Sequence, residues 1–196
     1  MKIIAFFDFD GTITTKDTLL EFIKFSKGEL HFYVGFLLNS PWLIAYKLKI
    51  ISNQMAKERV LRFFFGGTSM VEFSGRCLEF KKIRMKDLIR TRAIHEIKLL
   101  KNKGAEVVIV SASPENWIRD WAEEMGVQLI ATRLMVNNDR LTGKIEGKNC
   151  YGKEKVNRIR ELYNLADFDQ IFAYGDSGGD IPMFGLASTF FYRPFR

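Results

Sequence analysis

Two carboxylates separated by one residue, Asp8 and Asp10, follow the apolar run over residues 3–7. Side chains two positions apart on an extended chain point the same way, so both acids face one spot. Acids so close repel each other unless a cation or a shared proton relieves them, and magnesium prefers oxygen ligands. The pair therefore indicates a magnesium site with room for phosphate, although an acidic turn that caps a helix would show the same residues.

Further polar groups follow the other predicted strands. They are two hydroxyls after the second strand, two carboxylates on a glycine-rich turn after the fourth, and two lysines that begin the intervening helix: Ser111, Ser113, Asp176, Asp180, Lys153 and Lys155. Amides at a helix start bind anions, so residues 111–113 predict a cradle for an oxyanion or phosphate. Four acids, a hydroxyl and an ammonium at one sheet edge are difficult to explain as helix capping alone.

The elements that must position these groups alternate between strand and helix, which predicts a parallel sheet covered by helices. The predicted strands are 2–7, 106–110, 128–132, 170–174 and, at an edge, 188–192. The predicted helices are 92–103, one that starts at an N-cap Ser113 followed by Pro114 and ends near Gly126, and 153–163, with a β-hairpin over 133–148. The α/β sheet should be open and doubly wound, with its ligand at the carboxyl ends of the strands.

Residues 14–90 differ from this pattern because every predicted element there is a helix. The predicted helices are 18–27, 30–39, 41–51, 54–65 and one around 70–84. The segment holds 14 Lys and Arg against 7 Asp and Glu, so it carries the whole net charge of +7. We therefore predict a core over 1–13 and 91–196 and a basic helical cap over 14–90. Such a cap should attract an anion, although lysines that only solvate a surface would give the same count.

An apolar stretch over residues 32–46 of the cap raises the question of a membrane. A spanning helix needs about 20 apolar residues, and this stretch is interrupted at residues 39–41. Two interpretations remain open. The large apolar side chains either pack inside the cap, or lie against a lipid interface with Trp42 as an anchor and lysines alongside.

Composition limits the classes of protein. Apolar residues make up 47% and charged residues 27%, which is typical of a folded globular domain. Two distant cysteines and two histidines do not suit a zinc site, and reduced thiols fit a cytoplasmic location. The first residues lack a secretory signal, and the cap lacks the stacking pattern of a nucleic-acid binder. We expect a cytoplasmic protein, with a peripheral position at the inner membrane surface as the alternative.

Four motifs in this chain resemble, in type and order, those of the haloacid dehalogenase superfamily of phosphatases. They are DFDGT, the apolar run with Ser111, the lysine and GDSGGD. The helical insert after the first motif is similar to the C1-type cap of subfamily IB, which includes phosphoserine phosphatases. The apolar cap, the Phe65-Gly-Gly turn and the sequence NCYGKEKV are similar to phosphatidylglycerophosphatase C-like proteins. The resemblance implies a Rossmann-like core and a magnesium-dependent phosphomonoesterase.

The resemblance also implies a role for each acid. Asp8 would be the nucleophile that becomes an aspartyl phosphate, and Asp10 would protonate the leaving alcohol and then activate water. The carboxylate of Asp8, the backbone carbonyl of Asp10 and Asp176 would hold Mg²⁺. Asp180 would orient this metal site.

Two further groups would meet the phosphate itself. By the resemblance, Ser111 would hydrogen-bond a phosphoryl oxygen, and a lysine would neutralise the charge of the transferred group. Lys155 fits this role because Val156 and Ile159 would then pack inward, while Lys153 is the alternative.

Substrate choice would come from the cap and from the phosphate cradle. Asp17 stands where phosphoserine phosphatases usually carry a Glu that meets the amine of the substrate, but it would also serve as a plain N-cap. Arg59 and Arg62 share a helix face and would meet a second anionic group or only solvent. The other candidate substrate contacts are Thr12, Ala112 and Ser113.

The substrate class stays open at this point. Gly179 stands where many phosphoserine phosphatases carry Asn, which weakens the case for phosphoserine. The candidates are a small phosphoester such as phosphoserine and a lipid such as phosphatidylglycerophosphate. A phosphate-binding or membrane-associated module without catalysis is the alternative from another class.

Overall fold

A computed structural model describes all 196 residues of the chain. Its centre is one six-stranded sheet in the order β4-β3-β2-β1-β5-β6. The strands are β1 (Ile3–Phe7), β2 (Glu106–Pro114), β3 (Gln128–Asn137), β4 (Arg140–Glu146), β5 (Gln170–Gly175) and β6 (Thr189–Tyr192). All neighbouring pairs are parallel except β3 and β4, which form the predicted hairpin. The predicted doubly wound, mostly parallel α/β fold is confirmed.

The first strand lies in the middle of this sheet because both of its faces are apolar. Ile3, Ala5 and Phe7 pack into one hydrophobic cluster, and Ile4 and Phe6 pack into the other. Phe7 pairs with Ile109 on one side and with Tyr174 on the other. β1 and β5 therefore end at almost the same level, where the predicted acids follow them, while β2 continues beyond this level to Pro114.

Nine helices surround or extend this sheet. They are α1 (Thr18–Lys27), α2 (Glu29–Lys47), α3 (Asn53–Phe65), α4 (Met70–Phe80), α5 (Lys86–Leu88), α6 (Thr91–Asn102), α7 (Arg119–Met125), α8 (Lys153–Leu162) and α9 (Ile181–Phe184). Buried residues of α6 and α7 contribute to one cluster, and buried residues of α8 and α9 to the other, so both sheet faces are covered. None of the helices combines the length and apolar character that crossing a bilayer requires.

The helical insert is joined to the sheet by two segments that run side by side. Thr14 forms an antiparallel bridge with Ile89. The amide of Thr15 donates to the carbonyl of Leu88 at 2.7 Å, and the amide of Arg90 donates to that of Ile13 at 2.8 Å. We propose that the division between a core, 1–13 and 91–196, and a cap, 14–90, falls at this paired crossing.

One prediction for the cap is wrong, since α2 runs without a break through Pro41 where two helices were expected. Proline lacks the amide that would donate to the carbonyl of Leu37. The hydroxyl of Ser40 donates to that carbonyl instead, at 2.7 Å, and the side-chain amide of Asn39 donates to the carbonyl of Gly35 at 2.8 Å. Local side-chain hydrogen bonds thus replace the missing backbone bond.

Two further helix boundaries differ from the expected ones. The helix that starts at Met70 continues past Arg84 through a wider turn, Lys81–Met85, and ends at Leu88. Ser113 is not an N-cap, because β2 extends to Pro114 and a short turn, Glu115–Trp117, precedes α7. The strand lengthens because β3 pairs with it beyond an irregularity between Ser111 and Pro114.

Candidate active site

Asp8 lies directly after β1 and is held on both sides. Its amide donates to the carbonyl of Tyr174 at 2.8 Å, which continues the pairing with β5. Thr12, predicted as a substrate contact, donates its hydroxyl to Oδ2 of Asp8 at 3.0 Å. Both side chains are buried, Asp8 at 7% and Thr12 at 1% exposure. The turn after β1 therefore fixes one oxygen of Asp8 through the hydroxyl of Thr12.

The other oxygen of Asp8 meets a buried lysine. Lys155 Nζ donates to Oδ1 of Asp8 at 2.6 Å and to Oδ1 of Asp180 at 2.7 Å. Lys155 is 1% exposed, whereas Lys153 of the same helix is exposed. Of the two predicted lysines, the helix register therefore brings Lys155 to the acids.

Opposing effects set the protonation of this cluster. Burial raises the pKa of Asp8 to about 7. The charges of Asp180 and Asp10 also raise this pKa, whereas the charge of Lys155 lowers it. Burial alone would lower the pKa of Lys155, but the two carboxylates outweigh it and raise that pKa. The same ammonium holds the pKa of Asp180 below its usual value. One lysine therefore compensates two carboxylates, and a further cation would favour ionised Asp8.

Asp180 organises the glycine-rich turn after β5. Its Oδ2 accepts hydrogen bonds from the amides of Asp176 and Ser177 at 3.1 and 3.0 Å, and from the hydroxyl of Ser177 at 2.9 Å. Because every one of these contacts is internal to the turn, Asp180 holds Asp176 in place while it binds Lys155.

The carboxylates can accommodate a metal ion. Oxygens of Asp8, Asp176 and Asp180 all lie within 4.8 Å of one another. Gly11, at φ +79°, allows the chain to pass Asp176, since a Cβ there would lie 2.4 Å from Oδ2. Hard carboxylate oxygens, crowded and only partly neutralised, are the donor set that magnesium takes.

Arg196 also contacts Asp176, a contact that no sequence pattern predicts. Its guanidinium pairs with Oδ2 of Asp176, and the side chain of Arg193 donates to the carbonyl of the same residue at 3.2 Å. Phe195 between them stacks on Phe7 and Tyr174. The segment after β6 therefore packs beside the carboxylate cluster and brings positive charge to it.

The side chain of Asp10 turns away from Lys155, toward the first cap helix. Its Oδ1 accepts from both the amide and the hydroxyl of Thr18, each at 2.6 Å. The Thr18 hydroxyl in turn accepts from the indole of Trp117 at 3.0 Å. Thr18 is the residue at the start of α1, so the cap helix itself orients the proposed acid.

The predicted phosphate cradle, residues 111–113, lies within the last part of β2 and not at the start of a helix. The hydroxyl of Ser111 accepts from the amide of Ser113 at 3.0 Å and lies 3.5 Å from Oδ2 of Asp10. Ser111 is fully buried, whereas Ala112 and Ser113 line the cavity above it. The carbonyl of Ala112 accepts from Lys57 of the cap at 2.6 Å.

A cavity of about 540 Å³ opens over these groups between core and cap. Its floor contains Asp8, Asp10, Lys155, Asp176 and Asp180. The cap supplies a mostly apolar wall that consists of Leu19, Leu20, Phe36, Leu43, Ala56 and Val60. Asp8, Asp10 and Lys155 therefore converge on one cavity whose far side belongs to the helical insert, while Ser111 lies buried beneath it.

Three charged cap residues, Lys16, Asp17 and Lys57, also line this cavity. Asp17 is open to solvent on one side, but protein atoms displace part of the water around its carboxylate. This desolvation and the nearby charge of Asp10 raise the pKa of Asp17 to about 6. Asp17 also caps α1 by accepting from the amide of Leu20 at 3.1 Å, so its two predicted roles are compatible. Burial lowers the pKa of Lys57 despite the opposing charges of Asp17 and Asp10.

Arg59 and Arg62 do not line the cavity. Both are exposed, and the guanidinium of Arg59 stacks on the ring of Trp42 at 4.0 Å. Lys57 lies on the same helix but on its inner face. It could be identified as a cavity residue only from the packing of α3 against the core.

The chain is similar to a known family of hydrolases and to several of its relatives. The model of the haloacid dehalogenase-like hydrolase family matches residues 5–185. Protein CicA of Caulobacter vibrioides is 35% identical over 196 residues, which cover 99% of this chain and 87% of that protein. Phosphoserine phosphatase of Methanocaldococcus jannaschii is 36% identical over 108 residues, 50% of this chain and 49% of that protein.

A solved structure supports the fold over nearly the full length. The crystal structure of a protein of unknown function from Bordetella pertussis Tohama I has a TM-score of 0.85 at 23% sequence identity. The match covers 98% of this chain and 90% of that one. The sheet, its helices and the inserted cap are therefore shared as one arrangement.

Proposed function

This chain belongs to the haloacid dehalogenase-like hydrolase family and is a phosphatase, and we propose that it cleaves phosphate monoesters with magnesium, through an aspartyl phosphate on Asp8. The observation that carries this proposal is the buried Lys155, which bridges Asp8 and Asp180 at the floor of the cavity. Burying a lysine between two acids costs desolvation free energy, which favours a functional role for its charge. Beside a carboxylate that faces a cavity, it suits a transferred phosphoryl group.

In the first step, an oxygen of Asp8 attacks phosphorus and the bond from phosphorus to the leaving alcohol oxygen breaks. Thr12 and Lys155 hold the Asp8 carboxylate for this attack, through 3.0 and 2.6 Å contacts. Asp10 gives its proton to the departing oxygen. Its contacts with Thr18 keep that carboxyl group apart from Lys155, so it remains free to exchange a proton.

In the second step, Asp10 takes a proton from water, and the water oxygen attacks phosphorus. The bond between phosphorus and Asp8 breaks, inorganic phosphate leaves and both acids return to their starting states. Ser111 lies beside Asp10 in the buried layer, and we propose that its hydroxyl hydrogen-bonds a phosphoryl oxygen. Lys155 offsets the negative charge in both steps.

Asp8, Asp176 and the backbone carbonyl of Asp10 would hold the magnesium ion, and Asp180 would position Asp176. When bound, the ion supplies positive charge to the phosphoryl oxygens and neutralises the crowded acids.

Metal removal gives the direct test of this assignment. EDTA should abolish hydrolysis of phosphoserine and of a chromogenic aryl phosphate, and added Mg²⁺ should restore it. Asp176→Asn should raise the Mg²⁺ concentration at half-maximal activity at least about tenfold, while Asp139→Asn, an exposed acid on the hairpin turn, should leave it unchanged. Full activity in EDTA, or equal effects of the two variants, would contradict the assignment.

For the substrate we propose a small phosphoester that carries both a positive and a negative group, such as phosphoserine. Asp17 and Lys57 line the cavity and would meet an ammonium and a carboxylate respectively. The similarity to a phosphoserine phosphatase over half of the chain supports this choice.

The apolar cap wall favours a second candidate, a lipid phosphate monoester such as phosphatidylglycerophosphate. Leu19, Phe36, Leu43 and Val60 offer contact to an acyl or glycerol portion rather than to a charged one. The metal-dependence assay, run in parallel with phosphoserine and with the lipid in detergent micelles, separates the two. A higher kcat/KM for the lipid would replace the first candidate by the second.

A further inference from the structure

The face of α2 that points away from the cavity carries a continuous apolar stripe. We call it the outer stripe, and it consists of Leu30, Tyr33, Val34, Leu37, Leu38, Pro41, Ile44 and Leu48. These residues recur every three or four positions, which is one side of a helix. All are exposed, Leu30 at 80%, Leu37 at 72% and Leu48 at 66%. Of the two interpretations left open for this stretch, packing inside the cap is therefore wrong for the outer stripe.

The orientation of α2 is fixed by its opposite face. Phe32, Gly35 and Asn39 are buried, and a Cβ on Gly35 would lie 2.3 Å from a ring carbon of Phe64 in α3. Such close packing does not allow the helix to rotate its outer stripe inward. The exposed stripe is therefore a stable surface of the folded cap.

The charges around the outer stripe have one dominant sign. Residues 30–46 contain no Lys, Arg, Asp or Glu. Lys47 and Lys49 follow the stripe and are exposed. Lys24 and Lys27, which precede it in the chain, lie over the rings of Phe32 and Phe65 on the inner side of the cap. An apolar strip that ends in exposed lysines matches the boundary between acyl chains and anionic headgroups.

We propose that the outer stripe docks the protein on the surface of a bilayer that contains anionic lipids. At a rise of 1.5 Å per residue, the 19 residues of α2 give a contact about 28 Å long, parallel to the surface. Trp42 borders the stripe and is 38% exposed, as suits an aromatic anchor at the headgroups. The proposal goes beyond the phosphatase reaction and holds for either substrate.

A second copy of the chain fits the outer stripe less well. Parallel pairing of two stripes would bring Lys47 and Lys49 of one copy against the same lysines of the other, and like charges in contact oppose association. Antiparallel pairing would leave these lysines without an opposite charge. An anionic surface instead compensates them.

Docking would also place the catalytic cavity close to the lipid. Phe36, Leu43 and Tyr46, on the other side of α2, line that cavity. One helix diameter, about 10 Å, would separate the headgroup layer from the cavity wall.

Sedimentation with sucrose-loaded vesicles tests the proposal. The full chain should pellet with vesicles of phosphatidylcholine and phosphatidylglycerol and much less with phosphatidylcholine alone. V34E/L37E should weaken the partition coefficient at least about tenfold, and K47Q/K49Q should weaken it about tenfold on the anionic vesicles only. The matched control V71E/L162E places two acids at exposed apolar positions away from α2 and should bind as the wild type does.

Hydrolysis of a small phosphoester in solution by all four proteins serves as the folding control and should stay within about twofold, since none of these residues lines the cavity. Wild type that stays in the supernatant, or a control variant that loses binding equally, would overturn the proposal. So would sedimentation velocity that shows a wild-type dimer dissociated by V34E/L37E, because a second copy would then cover the stripe. None of these results depends on the assignment of Asp8.

Discussion

Replacing Asp8 by asparagine should reduce the turnover number by at least about 10⁴-fold and leave the protein folded. The amide lacks the nucleophilic oxygen, so no aspartyl phosphate can form. The fold should persist because Lys155 keeps its 2.7 Å contact with Asp180. The amide oxygen of the new asparagine can still accept from Lys155, while its NH2 group can donate to the hydroxyl oxygen of Thr12. Steady-state hydrolysis of a chromogenic aryl phosphate measures the loss.

Thermal unfolding in EDTA completes this first prediction. Burial raises the pKa of Asp8, and the charge of Asp180 adds to that rise, so the ionised carboxylate is costly in the metal-free protein. Asp8→Asn should therefore unfold at a temperature equal to or above that of the wild type. Asp10→Asn, with a loss of about 10²- to 10⁴-fold, should retain a measurable rate. Normal turnover by Asp8→Asn with a purified substrate would refute the nucleophile assignment.

The second large effect concerns Lys155. Lys155→Met, of similar volume, should abolish turnover and lower the free energy of unfolding by about 3–5 kcal/mol, because it leaves Asp8 and Asp180 buried without their cation. Lys153→Met on the same helix is the matched control and should change neither quantity by much, since Lys153 is exposed. Urea unfolding of both variants in EDTA measures the difference.

A double variant makes the structural reason testable. Adding Asp8→Asn to Lys155→Met removes one of the two uncompensated acids, so the pair should be less destabilising than the sum of the two single changes. Equal stability of Lys155→Met and wild type would contradict the buried ion pairs. A severe loss in Lys153→Met would show that the wrong lysine was assigned.

Much of the catalytic floor could be predicted because its residues follow strands directly. Asp8 and Asp176 come immediately after β1 and β5, and parallel strands bring their carboxyl ends to one edge. Lys155 needed the register of α8, which two apolar neighbours favoured but did not decide. Each of these predictions depends on residues that are close together in the chain, which is why the sequence could indicate them.

The contacts made by the cap could not be predicted in the same way. Thr18 reaches Asp10 and Lys57 reaches Ala112 only because α1 and α3 pack over the end of β2. Arg196 reaches Asp176 from the segment after β6. Each depends on how separate elements are placed in space, and no spacing along the chain encodes it.

Helix α2 shows the limit of the hydrophobic pattern most clearly. Apolar residues occupy nearly all of its faces, so periodicity could not indicate which side is buried. The polar Asn39 is buried while Leu30 and Leu37 are exposed. Pro41 also predicted a break between two helices. The helix continues because the hydroxyl of Ser40 supplies the hydrogen-bond donor that proline lacks.

Trapping of the covalent intermediate would identify the nucleophile of this phosphatase. Enzyme mixed with substrate and Mg²⁺ is quenched in acid, reduced with borohydride and digested, and the peptides are sequenced by mass spectrometry. An aspartyl phosphate on Asp8 predicts homoserine at position 8, absent from Asp8→Asn and from samples without substrate. Unmodified Asp8 during rapid turnover, or homoserine at another acid such as Asp10 or Asp176, would contradict the account.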